Sequence, residues 1–282
     1  MAKQDDVLLK DQQEEHHVLQ QLSTYVLRGG NTVFLTKVIL EKLNLTVKNI
    51  KSLVSFLSSG IAVDTLSLAH NKLESVHISP FLNAKFSPTF RQLLLQNNCL
   101  RDGGAGILSK FAQNHTNISY IDLSQNDVGD NGILQYIYAV LMSPRDNYST
   151  MKRNFPILKV GNNSFSNVGL QACLKLCMLN SSVRELDLSG STGFTSLEAA
   201  KMLCLFLRIN KTVRVVDLRD SSLEASHIET IHKALASSGC PKTLRLGKRN
   251  SVSCFKTEGK PDIKVQCHLN IENCLVANLF GH

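Results

Sequence analysis

Tryptophan is absent and all aromatics together make up 6% of the residues, so the chain is poor in the ring platforms on which nucleic-acid bases stack. Long apolar runs are missing too. No window approaches the ~18 uninterrupted apolar residues that a membrane-spanning helix requires. The opening stretch MAKQDDVLLKDQQEEHHVLQQL has neither the basic start and apolar run of a secretory signal nor the acid-free composition of a presequence, so the expected compartment is the cytosol. Catalytic signatures are also wanting: there is no Walker-type phosphate loop, no GxSxG elbow and no HExxH. The glycine-rich stretch DGGAGI at 102–107 lacks the dinucleotide-binding spacing and reads as a turn opening a helix. The expectation is therefore a protein that is not an enzyme and uses no catalytic residue, cofactor or metal.

What the chain does hold is a repeat. Apolar-x-x-apolar-x-apolar segments begin at 35, 63, 90, 118, 155, 183, 213 and 241, and their fourth residues fall at 38, 66, 93, 121, 158, 186, 216 and 244. Near-constant steps of this size are the mark of stacked supersecondary units. In each segment the fourth and sixth residues, for example Ile121 and Leu123, lie on one side of a strand because strand side chains alternate. The ninth position is Asn in four consecutive copies, Asn71, Asn98, Asn126 and Asn163. An amide there can satisfy backbone groups of its own turn and of the neighbouring coil, which predicts a ladder. Ser191 and Ser221 take that place later, so the ladder weakens toward the C-terminal end.

Between strands the spacing turns helical, as in Ile133, Ile137, Leu141 and in Leu170, Cys173, Leu174, Cys177. A column of Ser75, Asp102, Asp130, Asn167 and Thr195 stands where N-caps are expected. Strand, turn, helix, turn in one direction is an α/β solenoid. It predicts parallel strands on a concave face and helices on the convex one. Of the seven Asn-x-Ser/Thr triplets, three fit the same scheme. Those at Asn117, Asn180 and Asn210 precede strands, where Asn and Ser/Thr serve the helix end and the turn into the strand.

The segments NHTNISYIDLSQNDVGDNGI, NSSVRELDLSGS and NKTVRVVDLRDSSL resemble the leucine-rich repeats of the ribonuclease-inhibitor-like class, over about residues 31–253. That class includes ribonuclease inhibitor, Ran GTPase-activating proteins, tropomodulin, NOD-like receptors and leucine-rich subunits of the ciliary dynein regulatory complex. The resemblance implies a curved horseshoe fold that binds proteins, and it extends the expected localisation to the cytoskeleton or a cilium. It also implies one alternative, a GTPase-activating regulator of the Ran-directed kind, although no catalytic residue of that branch can be matched here.

Three parts lie outside the regular pattern. Residues 1–30 read as an N-terminal helical cap ending in Arg28-Gly29-Gly30-Asn31. Residues 143–154, SPRDNYSTMKRN, are a polar insertion. Residues 254–282 are a C-terminal cap in which Ile263, Val265, Cys267, Leu269 and Ile271 alternate as a strand. The eight cysteines read mainly as small core residues. Cys254, Cys267, His268 and Cys274 are zinc-type ligands, but their spacing is not a standard one.

The candidate protein-binding residues are those set between the buried strand positions, with the basic end beyond them: Tyr120, Asp122, Lys159, Glu185, Asp187, Asp217, Arg219, Arg245 and Lys248. Residues 201–250 carry ten Lys/Arg against four acids. A basic end of this kind attracts acidic surfaces, which favours an acidic protein partner within a multi-subunit assembly. Nucleic acid is a further alternative that the shortage of aromatics disfavours.

Overall fold

The computed structural model describes residues 34–142, 156–178 and 180–223, together with 5–9, 227, 230–231, 233–234, 243–246, 253–256 and 265–267. The insertion at 143–154, Lys248, His268 and Cys274 lie outside these residues. The chain divides into two compact units, one of residues 1–128 with 135–155, the other of residues 129–134 with 156–282.

The first unit contains the strands β1 (Asp5–Leu9), β2 (Phe34–Leu40), β3 (Ala62–Ser67), β4 (Gln92–Leu94) and β5 (Tyr120–Asp122), each parallel to the next. Val38 pairs with Leu66, Leu66 with Leu93 and Leu93 with Ile121, so the fourth residues of the repeat form one row in register. Those residues and their partners Leu40, Leu68, Leu95 and Leu123 are buried. β1 is a correction to the sequence reading. A helical cap was expected across residues 1–30, yet residues 5–9 are a strand added to β2. The contiguous apolar run Val7-Leu8-Leu9 suits a parallel strand better than a helix face, which needs apolar residues three and four apart. The rest of that segment lies outside the described residues.

The helices of this unit are α1 (Val47–Leu57), the single turn α2 (Ser75–Ile78), α3 (Arg101–Asn114) and the main part of α4 (Asp130–Met142). α1 is closed by a capping box in which Thr46 accepts from the Asn49 backbone and the Asn49 side chain accepts from the Thr46 backbone. The expected N-cap column sits one or two positions out of place for the other helices. Ser75, Asp102 and Asp130 lie inside their first turns, and the residue before α3 is Leu100, with no side-chain cap. Leu100 is buried instead, so packing takes precedence over capping there.

The asparagine ladder forms as anticipated. Asn98 accepts from Asn71 N (3.0 Å) and Leu73 N (2.9 Å), and donates to Leu68 O (3.0 Å) and Leu95 O (2.9 Å). Asn71 repeats the arrangement one coil earlier, accepting from Leu43 N and donating to Leu40 O and Leu68 O. Asn126 donates to Leu95 O and Leu123 O. Each amide thus bridges its own turn and the preceding coil.

The second unit carries β6 (Ile157–Lys159), β7 (Glu185–Asp187), β8 (Val215–Asp217) and β9 (Thr243–Leu246), again parallel. Leu158, Leu186, Val216 and Leu244 are register partners and buried. β10 (Ser253–Lys256) and β11 (Val265–Cys267) then run antiparallel, and β11 falls within the alternating C-terminal segment. α5 (Asn167–Met178) and α6 (Leu197–Ile209) bury Cys173, Leu174, Cys177, Leu203, Phe206 and Leu207. The cap of α6 is Ser196, which accepts from Ala199 N, not Thr195. In this unit Asn163 bonds Val160 O, and the serines at the equivalent place make single own-turn bonds, Ser191 to Leu188 O and Ser221 to Leu218 O, both at 2.6 Å. The ladder does weaken as the sequence implied. The cysteine reading holds at Cys173, Cys177 and Cys204, whereas Cys99 is exposed.

A conformational requirement recurs at the residue before the ladder position. Lys42, His70, Asn97, Gln125, Asn162 and Asp220 all have φ between 53° and 61°, and the equivalent residue in the remaining described coil is Gly190, at φ 65°. Gly190 also has no room for a side chain, because an added Cβ would collide with the Asn162 side-chain amide. Gly190→Ala therefore combines left-handed backbone strain with overpacking, and a loss of about 2–4 kcal/mol is expected. A drop in the urea midpoint of the variant, with unchanged slope, is the measurement that checks it.

Candidate functional site

On β6 to β9, the residues flanking the buried row point to the other face, and there the structure brings together six of the nine sequence-selected residues. Lys159, Asp187, Asp217 and Arg245 are partners in one register line, because Lys159 pairs with Asp187, Asp187 with Asp217 and Asp217 with Arg245. Two residues earlier, Glu185 lies between Ile157 and Val215. Arg219 follows β8 by two residues.

These six side chains form one connected chain of ion pairs. Lys159 Nζ reaches Glu185 at 3.1 Å and Asp187 at 3.3 Å. Arg245 Nη1 reaches Glu185 at 3.2 Å and Asp217 at 3.6 Å. Arg219 grips Asp217 with Nη2 at 2.6 Å and Nε at 2.9 Å, and its backbone N–H donates to the same carboxylate at 3.1 Å. Three cations meet three carboxylates, so the patch carries no net charge. Gly161 makes room for it, since a Cβ there would fall 2.5 Å from Ser189 Oγ and 2.7 Å from Asp187 Oδ1.

Electrostatics follow from this geometry. Burial pushes the Asp217 carboxyl up, but the Arg219 hydrogen bonds and the Arg219 and Arg245 charges outweigh it and hold the carboxyl below its usual range. Burial likewise pulls Lys159 down, and the Asp187 and Glu185 charges overcome it and raise the ammonium above its ordinary value. The Asp217 side chain is 1% exposed and the Lys159 side chain 21%.

A depressed folded-state carboxyl contributes stability above its unfolded value, ~3.9, and loses it as pH falls through the folded value. A raised lysine contributes below ~10.4 and loses it as pH rises through the folded value. Cys173 and Tyr136 add to the alkaline side, since the Cys177 hydrogen bond and then burial hold Cys173 neutral, and burial holds Tyr136 neutral, well above their ordinary ranges. Urea midpoints are expected to be flat near neutrality and to fall at both extremes. In Asp217→Asn the acid fall is shallower than in the wild type.

In the first unit, Tyr120 and Asp122 pair with each other, the phenol donating to Asp122 at 3.3 Å, while Ser124 N donates to the same carboxylate at 3.0 Å. Their register line toward β3 holds Gln92, Thr65, Leu94 and Ser67. This face is thus mainly uncharged.

The sequence reading treated these residues as a free row of mixed charges. The structure shows them engaged with one another, so Arg219 and Arg245 are neutralised and not available as a basic lure. The sequence reading missed Gly161 and Ser189, whose only signal is the small residue two places after a charged strand position. Among the described residues, no group of three metal-ligating side chains occurs, and no helix is long and apolar enough to cross a membrane. The side chains of Cys254, Cys267, His268 and Cys274 lie outside what is described.

No family model matches the chain. Among solved structures it is similar to that of leiomodin-1 actin-binding site 2, with a TM-score of 0.43 and 14% identity over 54% of this chain and 82% of the other. It is similar also to the Caenorhabditis elegans tropomodulin C-terminal domain, with a TM-score of 0.38 and 12% identity over 80% of this chain and 93% of the other.

Proposed function

We propose that the chain is a non-enzymatic scaffold, a leucine-rich-repeat solenoid of the ribonuclease-inhibitor-like kind that holds a protein partner on its strand face within a cytoskeletal or ciliary assembly. The observation that carries this reading is the lattice of Lys159, Glu185, Asp187, Asp217, Arg219 and Arg245. It fixes six charged side chains, four of them long, before a partner arrives, so binding need not order them again. A neutral, preorganised and half-buried set of donors and acceptors suits shape-specific recognition of a folded surface more than long-range capture.

A photo-crosslinking residue placed at Val215, half-exposed between Glu185 and Thr243, tests the proposal in the native cell. One discrete protein adduct, lost in Glu185→Ala, is the expected result. No adduct at Val215, or an equal yield of the same adduct from a helix position such as Leu205, overturns it. A single-turnover GTP hydrolysis assay with small GTPases separates the regulatory alternative, and no acceleration is expected.

A further inference from the structure

α5 and α6 carry more apolar surface than their own packing uses. Of the thirteen residues of α6, LEAAKMLCLFLRI, all but Glu198, Lys201 and Arg208 are apolar. Its buried side is made by Ala199, Ala200, Leu203, Cys204, Phe206 and Leu207. The remaining leucines and isoleucine face outward: Leu197, Leu205 and Ile209 are 46%, 43% and 40% exposed, and Val168 at the start of α5 is 69% exposed. A helix that is apolar around most of its circumference is ordinarily covered on all sides. The fold itself does not require this. The comparably long α3 of the first unit exposes Arg101, Lys110, Gln113 and Asn114, and none of the exposed large apolar residues lies on it.

The exposed residues are ordered. Leu197, Lys201, Leu205 and Ile209 follow one another at four-residue steps, so they form one slanted stripe along the outer face of α6, with Arg208 at its border. On α5, Val168, Ala172 and Lys175 repeat the pattern. The two helices pack against each other. Asn210 Nδ2 donates to Cys177 O at 2.9 Å and to Met178 O at 3.4 Å, which ties the end of α6 to the end of α5. Lys175, Lys201 and Arg208 are exposed, and among the described residues they take part in no ion pair. α5 has no acidic residue and α6 has only Glu198, so the face carries three positive charges against one negative.

We propose that the outer face of α5 and α6 is a docking surface for an amphipathic helix of a partner protein, one that carries carboxylates beside its apolar stripe. Two apolar stripes on neighbouring helices accept the ridge of a third helix, and the cations along them meet the carboxylates that flank that ridge. The charge selects this occupant over a second copy of the chain, since pairing the face with itself would set like charges opposite one another. It is selected over a lipid surface because the outer face holds no Trp, Tyr or Phe to anchor at a membrane interface, Phe206 being buried. This contact is separate from the strand face and goes beyond it.

The test uses a fluorescein-labelled synthetic helix with leucines at three- and four-residue spacing flanked by glutamates, and a twin with lysines in place of the glutamates. Fluorescence anisotropy is read on the full chain at low and at physiological salt. The acidic helix is expected to bind at least tenfold more tightly than its twin, and less tightly as salt rises. Leu205→Gln with Ile209→Gln should lower its affinity at least tenfold, and Lys175→Gln with Lys201→Gln at least threefold. Val76→Gln with Lys110→Gln, at exposed positions on helices of the first unit, should change it less than twofold. Thermal melting checks that each variant folds. No binding of the acidic helix, equal binding of the twin, or equal losses in the face and control variants overturns the proposal. Tighter binding to phosphatidylserine vesicles, lost in Leu205→Gln with Ile209→Gln, overturns it in favour of a membrane. Self-association in sedimentation, lost in the same variant, overturns it in favour of a second copy. The protein adduct at Val215 should survive these helix substitutions, so a failed helix face and a failed strand-face reading give different outcomes.

Discussion

Replacing Asn98 with alanine should cost about 3–5 kcal/mol, far more than a surface polar substitution. Asn98 is 6% exposed, and its Oδ1 accepts from two backbone donors, Asn71 N and Leu73 N. Its two donations are partly redundant. Leu68 O also receives Asn71 Nδ2, and Leu95 O also receives Asn126 Nδ2. The loss is therefore dominated by two stranded N–H groups, each worth about 1–3 kcal/mol when buried without a partner. Ser221→Ala provides the contrast: its hydroxyl makes one own-turn bond, to Leu218 O, and about 1 kcal/mol is expected. Asn98→Asp keeps the acceptor and loses the donors, so it should fall between the two. Equilibrium urea unfolding of the three variants decides the matter. Equal costs for Asn98→Ala and Ser221→Ala would mean that the ladder is decorative and that apolar stacking alone holds successive coils.

The ladder and the leucine row were legible in the sequence because both depend on local periodicity repeated at a fixed step. Alternation places residues 66 and 68, or 186 and 188, on one side, and the step of 27–30 residues then leaves one parallel register that aligns them. What local pattern cannot carry is a choice among partners that are distant in sequence. Asp130 has the composition of an N-cap, yet its carboxylate accepts from Ser166 N and Ser166 Oγ, both at 2.6 Å, 36 residues away. The cap rule describes what an aspartate does when nothing better approaches, and here the next coil approaches. The lattice was half legible for the same reason. The sequence displayed alternating charges at the right positions, but the Arg245–Glu185 contact spans 60 residues and exists only once the register is set. β1 was hidden because a run of only three apolar residues is too short to outweigh the helical spacing read further along the same segment, and pairing with β2 decides.

Asp217→Ala is the second substitution with a large expected effect, about 3 kcal/mol. The carboxylate is the most buried member of the lattice, and it receives the Arg219 backbone and guanidinium together with the Arg245 charge. Its removal leaves Lys159, Arg219 and Arg245 facing two carboxylates in a partly desolvated patch. Arg219→Ala is expected to cost less, because Arg245 still faces Asp217 and the arginine side chain is 23% exposed, where water screens the loss. Stability alone does not assign a purpose to such a lattice, since well-packed apolar replacements of an ion pair are often neutral or stabilising. The double variant Asp217→Leu with Arg219→Met separates the two roles. Its urea midpoint is expected to return to within about 1 kcal/mol of the wild type, while the protein adduct formed at Val215 disappears. Recovery of the fold together with recovery of the adduct would show that the charges only hold the strands together and that the partner does not read them.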